Sequence, residues 1–235
     1  WWDANRPATV AIPHLDTVTR DLRDVEDILD LKNKELGEAL DSALPAFGGK
    51  ASHFAGFPHM DHAKAPFPKA FAVPVFYYYQ FMKQNGFYEQ VTQMLADPEF
   101  QNDPAVRDAR LQAMRDSMLI APVDKAFETA LFTKLNTDYP GFKMRFRSST
   151  NAEDLDGFTG AGLYISQSGD PGYPDGVLDA IRTVWSSVWY FRAFEERSYR
   201  TIDHLSVGMA LLVHQSFPDE EANGVAITAN PFDPS

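Results

Sequence analysis

Two adjacent glycines followed at once by a lysine are the first residues whose types suggest chemistry: Gly48, Gly49 and Lys50. Paired glycines let a backbone approach an anion closely, and a lysine offers a point charge to a phosphate oxygen. The full spacing of a P-loop and its trailing Ser or Thr are absent. Because a plain turn explains most such triplets, this one predicts phosphate binding only in company with other residues.

A second group combines two arginines with a run of hydroxyl side chains. The alternation of polar and apolar residues from Lys143 to Arg147 predicts a β-strand that points Arg145 and Arg147 to one face. Neighbouring guanidiniums repel unless an anion lies between them, and Ser148 and Ser149 add hydroxyl donors. The stretch fits a phosphate clamp, and it fits equally well an arginine paired on the surface with the acidic residues that follow.

A third group is rich in glycine and follows the arginines closely. Gly157, Thr159, Gly160 and Gly162 lie within six residues and permit a loop whose amides point toward one phosphate. The spacing differs from the dinucleotide fingerprint, and a flexible turn is the alternative.

Together these segments resemble the ATP-binding domain of the pyruvate phosphate dikinase and phosphoenolpyruvate synthase family. The resemblance runs from about residue 46 to residue 235 and is much more specific than one motif. Its ordered landmarks are Gly48–Ala51, the Arg-Ser-Ser-Thr-Asn-Ala-Glu-Asp-Leu run from Arg147 with Gly157–Tyr164, the helix 180–193, and the strands 209–213 and 224–231. Glucan and phosphoglucan water dikinases share a similar arginine–Ser–Ser stretch.

The resemblance implies an ATP-grasp fold, in which ATP lies between two α+β subdomains and its β-phosphoryl group passes to a histidine on another domain. In that scheme Lys50 holds phosphate oxygens, together with Gly48, Gly49, Ser148 and Ser149. Arg147 stabilises the charge that develops during transfer. The loop from Gly157 to Gly162 closes over the phosphates, and the backbone at Val213 and His214 faces adenine.

The same resemblance places the remaining parts of the reaction outside this chain. The acidic Mg²⁺ ligands follow the second strand of the hairpin in this family, so we expect ATP and Mg²⁺ as cofactors and no metal ligand here. The expected partners are ATP and the downstream phosphohistidine and acceptor domains of the same polypeptide. His214 stands where many relatives carry Gln, so only a backbone role is transferred to it.

The elements that must position these groups predict an α+β fold. Apolar positions with helical spacing fill residues 87–138 and 177–200, and a β-hairpin is expected near the C-terminus. We interpret residues 1–45 as a mostly helical accessory segment outside the sheet. Residues 46–235 then form the N-terminal part of an ATP-grasp domain, with helical insertions and a truncated C-terminus.

Composition excludes several other functions. A net charge of −12 argues against a general nucleic-acid binder, and no apolar run is long enough to span a membrane. The absence of cysteine excludes disulfides and thiolate chemistry and is compatible with either redox environment. Separately, we expect a cytoplasmic protein. His53, His59, Asp61 and His62 lack the helical spacing of common zinc sites, so no metal site is predicted among them.

Two alternatives remain open at this stage. The domain could be a nucleotide-binding relic that keeps the fold and serves as a scaffold in a multidomain protein. It could also be a module of an α-glucan water dikinase. Residues beyond Ser235 would distinguish these alternatives from an active dikinase.

Overall fold

A five-stranded antiparallel sheet is the frame of this molecule. The computed structural model describes residues 10–60, 66–152, 160, 162–222 and 224. Within them the strand order is β1-β2-β5-β3-β4. The strands are β1 Arg23–Asp24, β2 Ala70–Val73, β3 Met144–Thr150, β4 Gln167–Gly169 and β5 Met209–Gln215. The predicted α+β class is therefore confirmed.

Helices surround this sheet and supply most of the core. They are α1 Leu36–Phe54, α2 Val75–Gln84, α3 Phe87–Ala96, α4 Pro98–Asn102, α5 Pro104–Ile120, α6 Lys125–Asp138, α7 Pro174–Ser186 and α8 Phe191–Tyr199. Single 3-10 turns occupy Val25–Asp27, Phe57–His59, Ser187–Trp189 and His204–Ser206. None of the described helices is both long enough and apolar enough to cross a membrane.

Side-chain alternation along the strands divides the core into two parts. On one face of the sheet, Phe71, Phe146 and Val213 join the large cluster formed with α2 to α8. On the other face, Ala72 and Leu212 join a smaller cluster with α1. Because strand residues alternate between faces, the small alanines of β2 leave room for α1 to lie directly on the sheet.

The described residues before α1 are not mostly helical, although a mostly helical segment was expected over residues 1–45. Arg23 and Asp24 instead form an edge strand that pairs antiparallel with Ala72 and Phe71 of β2. The apolar side chain of Val25 packs against α1, and α1 itself begins at Leu36 and runs past residue 45. The expectation that this segment stays outside the sheet is wrong, because the backbone of Arg23 and Asp24 pairs with that of β2.

Other element predictions are confirmed or adjusted. The strand predicted over 143–147 is present and extends to Thr150, while β4 lies in a segment for which no strand was predicted. The single helix expected over 177–200 is two helices, since Tyr190 is extended between α7 and α8. The first hairpin strand is β5, and the second lies outside the described residues. The ATP-grasp arrangement of these elements stays a prediction.

Candidate functional site

An open cleft of about 510 Å³ lies over the start of β3 and the end of β5, on the face of the sheet that also carries α1. Its walls come from β3, β4, β5 and the segment after β5. The lining residues are Lys143, Arg145, Arg147, Ser166, Ser168, His214, Ser216, Phe217, Pro218 and Glu220. The predicted placement of Arg145 and Arg147 on one face of a strand is thus confirmed.

Strand register explains why these side chains meet. Arg145 lies opposite Ser168 of β4 on one side and opposite His214 of β5 on the other. Directly opposite residues in an antiparallel pair project from the same face. One guanidinium nitrogen of Arg145, Nη1, donates to Ser168 Oγ at 3.2 Å. Residues far apart in the sequence are therefore held side by side by sheet pairing.

The cleft is electropositive although the chain carries a net charge of −12. Lys143, Arg145 and Arg147 face one carboxylate in the lining, that of Glu220. Within the described residues, neither arginine forms an ion pair. Burial, followed by repulsion from Arg147, lowers the pKa of Arg145. An anion in the cleft would relieve this repulsion.

His214 is a neutral polar member of the cleft. Burial is the main cause that lowers its pKa, with further lowering by Arg147 and Arg145. Its Nδ1 lies 2.7 Å from the carbonyl oxygen of Gln215, which fits an Nδ1–H donor. The uncharged ring offers the cleft a flat polar surface and adds no cation near neutral pH.

The backbone at Val213 and His214 takes part in the sheet. β5 is an interior strand, and both residues pair with β2 on one side and β3 on the other. Their peptide groups therefore lie within a ladder that has strands on both sides, and Val213 is fully buried in the large cluster. His214 lines the cleft, and an adenine contact through the backbone of Val213 or His214 stays a prediction.

The Gly48–Gly49 pair lies where α1 crosses the end of β3. Gly48 has φ 70° and ψ 176° inside α1, a combination that is essentially restricted to glycine. A Cβ at this position would lie 2.2 Å from the carbonyl oxygen of Ser149. The close approach of α1 to β3 is sufficient to explain why residue 48 is a glycine, without a bound ligand.

Ser149 fastens this crossing. Its buried hydroxyl donates to the carbonyl oxygen of Phe47 at 2.7 Å and accepts from the amide of Ala51 at 2.9 Å. A hydroxyl group has one proton to donate in a hydrogen bond, and here the carbonyl oxygen of Phe47 accepts that hydrogen bond. The expectation that Ser149 donates to a phosphate is therefore at odds with the geometry, and the residue joins α1 to β3 instead.

Lys50 follows directly and contacts the neighbouring serine. Its Nζ lies 3.4 Å from the Oγ of Ser148, which is buried. β4 pairs with β3 only as far as Phe146, so Lys50 meets β3 beyond the end of that pairing. Arg147 and Ser148 are consecutive strand residues, so their side chains leave opposite faces. The structure thus brings Lys50 beside the arginine strand and outside the described lining of the cleft.

The glycine-rich loop is described only in part. Gly157 and Thr159 lie outside the described residues. Gly160 and Gly162 have φ values of 64° and 73°, in the left-handed region that favours glycine. The amide of Leu163 donates to the carbonyl oxygen of Gly160 at 3.3 Å, which closes a turn just before the wall of the cleft at Ser166.

Sequence reasoning missed several residues of the cleft. They are Ser166, Ser168, Ser216 and Glu220, together with Lys143 as a site residue. Alternation from Lys143 through Arg147 could have placed Lys143 beside the arginines. Ser168 of β4 carried no comparable signal, because a three-residue edge strand has too few positions for a period to show.

Comparison with known proteins defines the class to which this arrangement belongs. Residues 44–234 match the family described as "Pyruvate phosphate dikinase, AMP/ATP-binding domain". This match covers well over half of the chain, so the chain belongs to that family, whose members are ATP-binding modules of dikinase-type phosphotransferases. The resemblance inferred from the sequence landmarks is confirmed.

Individual relatives agree with this assignment. The chain is 28% identical over 206 residues to phosphoenolpyruvate synthase of Aeropyrum pernix, covering 83% of this chain and 24% of the relative. It is 28% identical over 189 residues to a probable phosphoenolpyruvate synthase of Methanothermobacter thermautotrophicus, covering 78% and 27%. It is 26% identical over 170 residues to rifampicin phosphotransferase of Bacillus cereus, covering 70% and 19%. The chain spans about a quarter of the length of the first two relatives.

The described residues do not offer a complete set of ligands for Mg²⁺. Magnesium prefers carboxylate and phosphate oxygens. Among the described side chains no group of three His, Asp or Glu comes together, and Asp61 and His62 lie outside them. Glu220 is the carboxylate that lines the cleft.

Proposed function

We propose that this domain binds ATP with the triphosphate in the cleft over β3 and β5. The observation that carries the proposal is the electropositive cleft itself. Arg147 lines this cleft and has no ion-pair partner among the described residues. This is so although the chain as a whole has a net charge of −12. A guanidinium is suited to phosphate because it presents a planar fork of donors. Membership of a family described as AMP/ATP-binding supports the same ligand.

Within this proposal Arg147 pairs with phosphate oxygens and stabilises the charge that grows on them. Lys50 provides a second cation from α1, since its long side chain can leave Ser148 and turn toward a bound phosphate. Gly49 and the loop 157–162 approach the phosphates through their backbone amides. Gly48 and Ser149 support these groups by holding α1 against β3.

We also propose that this chain works as one module of a longer phosphotransferase. Its coverage of about a quarter of the relatives' length supports this organisation. In the complete protein the β-phosphoryl group would pass to a histidine on another domain, with Mg²⁺ held by ligands supplied elsewhere. The final acceptor is left unassigned, since the relatives are named both for phosphoenolpyruvate synthesis and for phosphotransfer to rifampicin.

Calorimetric titration of the full-length protein with ATP tests the proposal. Arg147→Ala should weaken ATP binding about 10- to 100-fold, because a hydrogen bond to a charged group contributes about 1.5–3 kcal/mol. Arg192→Ala is the matched control, since Arg192 is an exposed arginine on α8, in the helical layer on the other face of the sheet. Equal ATP affinity for wild type and Arg147→Ala would refute the placement of the triphosphate.

A further inference from the structure

A chain of hydrogen bonds crosses the cleft and ends on Arg145. The amide of Ser216 donates to the carbonyl oxygen of Lys143 at 2.7 Å. The hydroxyl of Ser216 lies 3.3 Å from that of Ser168, and Ser168 Oγ accepts from Arg145 Nη1 at 3.2 Å. These contacts link Arg145 of β3 to Ser168 of β4, and Ser168 to Ser216, which directly follows β5.

Arg145 lines the cleft, and most of its hydrogen-bond donors have no partner among the described residues. A guanidinium has five N–H donors, and one of them is used by Ser168 among the described residues. The side chain is partly buried between His214 and Ser168, which restricts the conformations that it can adopt. Neither of these flanking groups carries a charge that could neutralise it. The remaining donors therefore suit an anionic ligand that enters from the open side.

Arg145 and Arg147 can contact different parts of one ligand. They are two residues apart on one strand face, which separates their Cα atoms by about 6.7 Å. The more exposed Arg147 lies toward the centre of the strand, and Arg145 lies nearer its beginning. A ligand with several phosphate groups can contact both guanidiniums, whereas a single phosphate group can bind fully to one of them.

From this geometry we infer that Arg145 is a phosphate-binding residue that makes the site prefer nucleoside triphosphates to monophosphates, and that Ser168 and Ser216 are its positioning residues. The inference rests on the proposed ATP function and extends it to selectivity by phosphate number. In this inference, the hydrogen bonds from Lys143 through Ser216 and Ser168 hold the guanidinium of Arg145 in the orientation that contacts the second phosphate group.

The test compares ATP, AMP and inorganic tripolyphosphate in binding titrations with the full-length protein. Arg145→Gln should weaken binding of ATP and of tripolyphosphate about 10-fold or more, while the affinity for AMP changes less than about twofold. The control is Arg192→Gln, the same change on an exposed α8 residue, which should leave all three affinities unchanged. An equal loss for AMP and ATP, or no loss for either, would overturn the role of Arg145.

The positioning role has its own measurement. Ser168→Ala should weaken ATP binding about threefold to tenfold, and Ser168→Thr, which keeps the hydroxyl, should restore it. In Arg145→Gln, a second change of Ser168 to Ala should add almost nothing, because the hydroxyl acts through the guanidinium. Additive losses in the double variant would show that Ser168 does not act through Arg145.

The outcomes separate this inference from the proposed function. If wild type binds ATP and Arg145→Gln binds it equally well, the inference fails and the function stands. If wild type binds tripolyphosphate in an Arg145-dependent manner and does not bind ATP, the anion site stands and the nucleotide function fails. If wild type binds neither ligand, both are refuted. Unchanged thermal unfolding of the variants is the check that binding losses do not reflect misfolding.

Discussion

Replacing Gly48 by alanine tests whether this glycine serves the packing of α1 or the approach of a phosphate. Gly48 has φ 70° and ψ 176°, and a non-glycine residue held in this region costs about 1–3 kcal/mol. The added Cβ would also lie 2.2 Å from the carbonyl oxygen and 2.4 Å from the carbonyl carbon of Ser149. Both atoms belong to the backbone of β3, so a side-chain movement cannot relieve the overlap.

The two costs combine to a large fraction of the stability of a domain. Overpacking of a tight contact typically costs about 1–3 kcal/mol, so Gly48→Ala should destabilise the protein by about 2–6 kcal/mol. Total stabilities of single domains are about 5–15 kcal/mol. The same shift would pull Phe47 and Ala51 away from the hydroxyl of Ser149.

Urea unfolding followed by circular dichroism measures the change, with Gly37→Ala as the matched control. Gly37 lies in the same helix, and nothing lies within 4 Å of the Cβ that alanine would add. That substitution should stabilise the protein by up to about 1 kcal/mol. If Gly48→Ala unfolds at the wild-type urea concentration and has lost ATP binding, the packing argument is wrong and the glycine serves the ligand.

Three further predictions follow from buried contacts and from the expected division of the site. Burial, then Arg197 and Arg107, lower the pKa of His204 to about 3, so the unfolded chain takes up a proton below about pH 6.5 that the folded chain does not. Stability should therefore fall by about 2 kcal/mol from pH 7 to pH 5 in urea titrations, and His204→Asn should remove most of that slope. Asn151→Ala should cost about 3 kcal/mol, because the Asn151 side chain binds the carbonyl oxygens of Pro13 and Ser206 and a backbone amide; wild-type stability in a thermal melt would contradict this. The 235-residue chain alone should bind ATP weakly and transfer no label from radioactive ATP, and submicromolar, Mg²⁺-dependent binding would show that its site is complete.

The sequence by itself determined the elements whose signals are local. Alternation identified β3 and the shared face of Arg145 and Arg147, and helical spacing identified the segments that became α5, α6 and α7. Such patterns are visible because each residue's environment repeats with the period of its own element. The motifs and their order along the chain also identified the family, since both can be read from the sequence without knowledge of the fold.

The tertiary structure decided which residues of these motifs face the cleft. Ser149 belongs to the motif, yet its proton is used to fasten α1 to β3. Ser168 belongs to no motif, yet its hydroxyl accepts a hydrogen bond from Arg145 and lies beside the hydroxyl of Ser216. The edge strands β1 and β4 were also missed, because their short backbones are extended only by pairing with distant strands. The physical reason is common to all of these cases: the partner of a hydroxyl or an edge strand lies far away in the sequence, so only the folded chain can determine it.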